Sequence, residues 1–330
     1  MKRLILLFLL SFSISNSALA VVADSTGKPL PEVREIFSIV LRKNYSDQIL
    51  KSLKSDTLQS LSKVGQEVLL RPKGFDRQDP PSIRHYHELL DKLSKDDLTA
   101  LVELFKKLGD VDPVFPATKK VDYVLVHGST VQNMRERVMF LADMISTRKL
   151  VLDPKVQVVF LEGERPLFKF EDEAILINPA PFELRPGWER PSILPKDERD
   201  AAVMVWDQLN LPKALREHPP LFIHAEKRPG TKRAETVDCV LKWAKNYHPT
   251  PGVGVMVSNN PYVYYQLLVT KTALAQAGIS GINLEGVGPA AFDTKDLSLK
   301  EQTIIKLGVM LDNLARVLYV HSAKTISSAP

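Results

Sequence analysis

Five short apolar runs each end in a cluster of residues able to do chemistry. The clusters are His127-Gly128-Ser129-Thr130, Glu162-Gly163-Glu164-Arg165, Glu226 through Arg233, Ser258-Asn259-Asn260-Pro261-Tyr262, and Glu285 leading into Gly286-Val287-Gly288-Pro289. Two chemistries suit them. Arg and Lys beside exposed backbone amides bind phosphate or carboxylate, and paired carboxylates such as Glu162, Glu164, Glu226 and Glu285 serve acid and base roles. Taken singly, each cluster has a plainer explanation: glycines that permit turns, Ser129 or Thr130 capping a helix, and a solvated basic loop from Lys227 to Arg233. Their joint placement is what argues for a site.

That placement follows from the elements between them. From residue 121 on, short apolar runs alternate with longer amphipathic stretches, the pattern of a βαβ series and a parallel sheet. Strands are expected at 121–126, 156–161, 221–225, 253–257 and 282–287, and helices at about 131–148, 197–209, 231–247, 261–278 and 298–320. In the first of these helices Val131, Met134, Val138, Leu141 and Ile145 form one apolar stripe. Asn260-Pro261 reads as an N-cap followed by Pro at the first helical position. Ligands of such sheets bind beyond the carboxyl ends of the strands, so the clusters should meet at one edge. The expected ligand-binding residues from the strand ends are Gly128, Ser129, Glu162, Arg165, Glu226, Arg228, Ser258 and Asn259. Gly128 and Ser129 form the floor of the crevice, and Thr130 caps its helix. A small anionic ligand is the expected partner; catalytic residues and cofactors stay unassigned, and no metal ligands are expected.

Residues 31–108 have a different texture. PEVREIFSIVLRK, SDQILKSLKS, DTLQSLSKVGQEVLL, PSIRHYHELLDKL and SKDDLTALVELFKKLG each space apolar residues three or four apart. The expected architecture is therefore α/β: a Rossmann-like three-layer sandwich with a mostly parallel sheet over 120–330, preceded by a small all-α region over 21–115. The stretch 71–81, RPKGFDRQDPP, is a loop within the helical region, and 110–120 is the linker out of it. The Pro-rich excursion 178–197 reads either as a lid over the site or as a surface insertion.

The first twenty residues, MKRLILLFLLSFSISNSALA, have a basic start, an apolar run and a small-x-small end. That is the layout of a secretory signal peptide, and the run is shorter than the ~20 residues of a spanning helix. An exported chain, periplasmic or secreted, with no transmembrane helix after cleavage is expected. The formal charge of +5 falls by two, to +3, once Lys2 and Arg3 leave. No basic run is interleaved with aromatics, so nucleic acid is not an expected ligand. With 330 residues, 44% hydrophobic and 25% charged, the chain has the composition of a globular protein. Its single cysteine, Cys239, forms no intramolecular disulfide and reads as a small buried residue of the helix VDCVLKW. There is no GxSxG, Walker, GxGxxG or HExxH motif, so His127-Gly128 would be an oxyanion turn lacking its nucleophile. His85 and His87 lack a third metal ligand.

Over about 120–290 the ordered clusters resemble the YdcF/SanA/ElyC-like family. The resemblance rests on Val124 to Gly128 with Arg135 or Arg137, on Leu161-Glu162-Gly163, on Glu198 with Met204, on Glu226 with Thr231 or Thr236, and on Val257-Ser258. The chain departs from the family pattern at Ser129, which replaces a second glycine, and at Cys239, which replaces an Asn if Thr236 is the matching residue. The family's His and Arg after the fourth strand fall on Pro261 or Tyr262 and on Tyr264 or Tyr265. The resemblance implies a divergent member with a Rossmann-like domain, tied to cell-envelope integrity, to peptidoglycan or lipid-carrier metabolism and, in one relative, to S-adenosylmethionine binding. It adds Arg135 and Thr236 to the expected site residues. The leading expectation is an exported protein that binds a small phosphorylated or nucleotide-like ligand at the carboxyl edge of the sheet, with an enzymatic role in envelope metabolism left open. The alternative is an exported interaction protein or secreted effector whose helical region meets a protein partner and whose α/β scaffold is catalytically degenerate.

Overall fold

Apolar runs bounded by turn residues become five strands: β1 Lys120–His127, β2 Val151–Gly163, β3 Leu221–Ala225, β4 Gly252–Val257 and β5 Ile282–Val287. The structure, a computed structural model, describes residues 22–42, 57–293 and 300–327; the signal-like leader and the helix expected over 46–55 lie outside the described residues. The strands form one sheet in the order β3-β2-β1-β4-β5, and every neighbouring pair is parallel. The order reverses between β1 and β4, so a crevice opens beyond His127 and Val257.

Both faces are covered, which is why β1 reads as a nearly unbroken apolar run. On one face lie α5 Val131–Ser146 and α7 Glu198–Gln208, whose Val138, Leu141 and Val205 pack on Val124, Val126 and Val257. On the other lie α9 Thr236–Tyr247 and α10 Tyr262–Gln276, whose Val240, Trp243 and Leu274 pack on Leu125, Leu161 and Met256. The fold is thus a three-layer, Rossmann-like α/β sandwich. Two short helices, α6 Glu173–Ile177 and α8 Lys213–Arg216, sit in the connections on either side of α7.

The N-terminal region is helical as its spacing predicts: α1 Pro31–Arg42, α2 Leu58–Val64 running on as a π-helical turn Gly65–Leu69, α3 Pro80–Leu90 and α4 Lys95–Lys107. Ser94 and Asp97 form a capping box at the start of α4. These helices bury Phe37, Leu61, Tyr86, Leu101 and Phe105 in a core that also takes Ile304, Leu307, Leu311, Leu314 and Leu318 from α11 Lys300–Ser327. The closing helix therefore lies in the helical core rather than over the sheet. A buried Asp312 on α11 fastens the loop after the π-turn, pairing with Arg71 at 2.5 Å and with Arg316 at 3.1 Å.

The linker is bonded to the sheet edge. Val114 and Gly288 exchange backbone hydrogen bonds, and the Glu285 carboxylate accepts from the backbone amides of Ala117 and Thr118. Glu285 is thus an anchor of the linker. Asn260 does not cap α10, which begins one residue later than expected; its side-chain amide donates to Gly109 O and Asp112 O instead. The 178–197 excursion does not fold over the strand ends: Phe182, Trp188 and Leu194 pack on the α5 side of the core, and Arg185 pairs with Asp207 of α7. Among the described residues no helix is long and apolar enough to cross a membrane.

Candidate functional site

The centre of the crevice is organised by a buried cation. Arg137 of α5 donates from Nη1 to His127 O at 2.5 Å and Gly128 O at 3.0 Å, and from Nε to Asn259 Oδ1 at 2.5 Å. One guanidinium therefore ties the ends of β1 and β4 together across the reversal point, and such charge-assisted bonds hold the geometry tightly. Burial lowers its pKa to about 10, so it remains a cation at neutral pH. Asn259 passes the order on, donating from Nδ2 to Glu136 Oε2 at 2.8 Å. Of the two arginines that the resemblance left open, Arg137 is the one that reaches the edge. Arg135 is a correction: fully buried, it bonds Gln208 Oε1, Leu176 O and Asn178 O and so fixes α6 against α5 and α7.

Beneath Gly128 lies an acid pair. A side chain at Gly128 would collide with the Glu162 carboxylate and approach Glu198 Cδ to 2.8 Å, which is why this strand end is glycine. Glu198 is satisfied, accepting from Gly163 N at 3.0 Å and Arg165 Nε at 3.1 Å. Glu162 is fully buried, and neither of its oxygens has a hydrogen-bond partner among the described residues. Burial, and then the charge of Glu198, push the Glu162 carboxyl well above the usual carboxylate range against the pull of Arg137 and Arg165. His127 points the other way, its Nε2 2.9 Å from Thr270 Oγ1; burial and then Arg137 lower it to about 3, so it stays neutral.

Arg165 is equally committed to the protein. Nη1 pairs with Glu171 Oε2 at 2.8 Å, Nη2 donates to Ser129 O at 2.9 Å, and the guanidinium lies 4.5 Å above the Phe168 ring. Glu171 Oε1 accepts the Val131 amide at 2.8 Å. The start of α5, where backbone amides would hold a ligand anion, is thus occupied by a protein carboxylate. Thr130 sits at the N-cap without a side-chain bond, so Glu171 does the capping expected of it.

The β3 end is not gathered into the crevice. Glu226 is exposed and paired with Lys242 at 2.5 Å, Arg228 pairs with Glu235 and Asp238, and Lys227 bonds Glu164. Thr236 opens α9, half-buried. Ser258 is buried, with its hydroxyl on Gln266. The structure therefore brings Gly128, Ser129, Glu162, Arg165 and Asn259 together around Arg137, with Ser258 at the adjoining strand end.

A cavity of about 210 Å³ opens beside Asn259, lined in part by Asn133, Glu136, Asn260, Tyr262 and, from the helical region, Arg77. Arg77 lies in the 71–79 loop, with its guanidinium 5.3 Å from the Tyr262 ring centre. The loop is held against the connection after β3 by Lys232 Nζ on Gly74 O at 2.5 Å and by an Arg233–Asp76 ion pair at 3.3 Å. This loop, and not the Pro-rich excursion, borders the crevice. Sequence reasoning missed Arg77 and Glu171, because neither lies at a strand end and no spacing links them to one. Comparison of the chain with protein-family models, curated proteins and solved structures finds no match.

Proposed function

We propose that this is an exported protein that binds a small phosphorylated or nucleotide-like anion in the crevice between the ends of β1 and β4. The observation that carries the reading is the chain Arg137, Asn259, Glu136: a buried cation fixes both central strand ends and holds two polar side chains at the wall of a cavity. Such convergence of polar groups at a reversal of strand order is where ligands of this fold class sit. The buried Glu162 carboxyl, raised well above the usual carboxylate range beside Glu198, supports a proton-transfer role beneath the floor. The signal-like leader supports export, and the family resemblance supports a role in envelope metabolism.

One observation favours a second reading, the catalytically degenerate interaction scaffold. Glu171 occupies the start of α5, and Arg165 and Arg228 are paired with protein carboxylates. A thermal-shift panel of nucleotides, S-adenosylmethionine and sugar phosphates separates the two. Binding to the folded state raises the melting temperature by a free energy of RT ln(1 + [L]/Kd). The ligand reading expects a rise with phosphorylated compounds that shrinks in Asn259→Ala; silence across the panel favours the scaffold.

A further inference from the structure

We infer that Arg77 and Lys306, neither of them at the strand ends, form the anion clamp of the cavity beside Asn259, and that its ligand is a phosphomonoester of monosaccharide size. The inference rests on the reading of this crevice as a ligand site and names the class of ligand that it takes.

Most cations at this edge spend their charge within the protein. Arg137 is bonded to His127 O, Gly128 O and Asn259, while Arg165, Lys227, Arg228 and Arg233 each pair with a carboxylate. Arg77 and Lys306 differ from them. Each lines the cavity, and neither has a carboxylate within 4.0 Å among the described residues. Each lies instead by an aromatic residue: Arg77 is 5.3 Å from the Tyr262 ring centre and hydrogen-bonds that side chain, and Lys306 is 4.8 Å from the ring centre of Phe292. A ring face positions a cation without neutralising it, so both charges remain available to a bound anion. The alternative anion position, at the start of α5, is already filled by Glu171.

The other walls narrow the ligand. Glu136 and the side-chain carbonyl of Asn260, whose amide is spent on Gly109 O and Asp112 O, offer acceptors for hydroxyl groups. Glu136 also disfavours a second anionic group. Val309 and Met310 add an apolar wall suited to the carbon face of a sugar ring. At about 210 Å³ the cavity lies below the roughly 300–1,000 Å³ of drug-sized ligand sites, too small to enclose a dinucleotide. One phosphate on a small polyhydroxy compound meets all of these conditions.

Calorimetric titration of the full mature chain with glucose 6-phosphate, glucose and inorganic phosphate tests this. Glucose 6-phosphate should bind at least about tenfold more tightly than glucose. Arg77→Gln and Lys306→Gln should each weaken the sugar phosphate by about tenfold or more, with unfolding temperatures unchanged. Lys213→Gln, an exposed cation on α8, should bind as the parent does. Parent-like binding by both clamp variants overturns the inference, as does a parent chain that ignores the phosphate group or binds none of the three probes. If the clamp variants bind normally and Asn259→Ala does not, the crevice reading stands and the clamp alone falls. If Asn259→Ala also binds normally, both fall.

Discussion

The Glu171 carboxylate accepts the Val131 amide at 2.8 Å while its other oxygen holds Arg165 at 2.8 Å, so one side chain both caps α5 and neutralises a buried arginine. Removing it leaves Arg165 with Glu198 as its remaining carboxylate partner. Breaking a buried pair costs about 3–5 kcal/mol when nothing replaces the lost partner, and Glu198 reduces that. Glu171→Ala should therefore lose about 2–3 kcal/mol in urea unfolding, and Glu171→Gln less. A loss below about 1 kcal/mol would contradict the assigned role.

Glu162 should make the folded state less stable as pH rises. Its folded pKa lies above the unfolded value of about 4.3. Above pH 4.3, up to the folded pKa, the native chain binds a proton that the unfolded chain has released. Stability then falls with rising pH, by up to about 1.4 kcal/mol per unit for one group. Glu162→Gln removes this dependence. Urea titrations from pH 4 to 8 should show the variant gaining on the parent as pH rises; parallel curves would count against a raised Glu162 pKa.

His127 sets the opposite limb. Its folded pKa of about 3 lies below the unfolded value of about 6.5. Between those values the unfolded chain takes up a proton that the buried ring refuses, so stability is lost as pH falls through that window. His127→Gln should flatten the curve between pH 6.5 and about 3 while leaving it unchanged above 7. An unchanged acid limb would show that His127 titrates normally.

How much of this was legible follows the range of the signals. The strands at 221–225 and 282–287 match their apolar runs to the residue, since apolar runs with clear turn residues around them decide those segments locally. β2 begins at Val151 and not at 156, because the polar stretch Asp153 to Lys155 hides a start whose register against β1 shifts between Val121 and Tyr123. α9 begins at Thr236 because Glu235 and Asp238 form its capping box. Gly128, Glu162 and Asn259 were readable as strand ends. Arg135 and Arg137 stand two residues apart, and only the packed helix shows which one faces the edge. Arg77 borders the crevice through a loop that Asp312 and the β3 connection hold in place, a relation that no periodicity encodes.

The shared helical core makes a prediction of its own. Replacing a helical glycine by alanine usually gains up to ~1 kcal/mol, but a Cβ at Gly308 would lie 2.5 Å from Tyr86 Cβ and Cδ1. Tyr86 is fully buried, and the atoms met include its Cβ, which cannot swing away as a side-chain tip could. Overpacking of this kind costs about 1–3 kcal/mol, so Gly308→Ala should be net destabilising in thermal unfolding. A stabilised variant would mean that α11 is not seated against α3.

The central claim is that the crevice between the ends of β1 and β4 holds a small anion. A crystal structure of the chain grown with saturating glucose 6-phosphate tests it most directly. The account predicts the sugar beside Asn259 and Glu136, with its phosphate within hydrogen-bond distance of Arg77. A vacant cavity, or the ligand bound only elsewhere, such as in the groove between Met139 and Leu211, would contradict it.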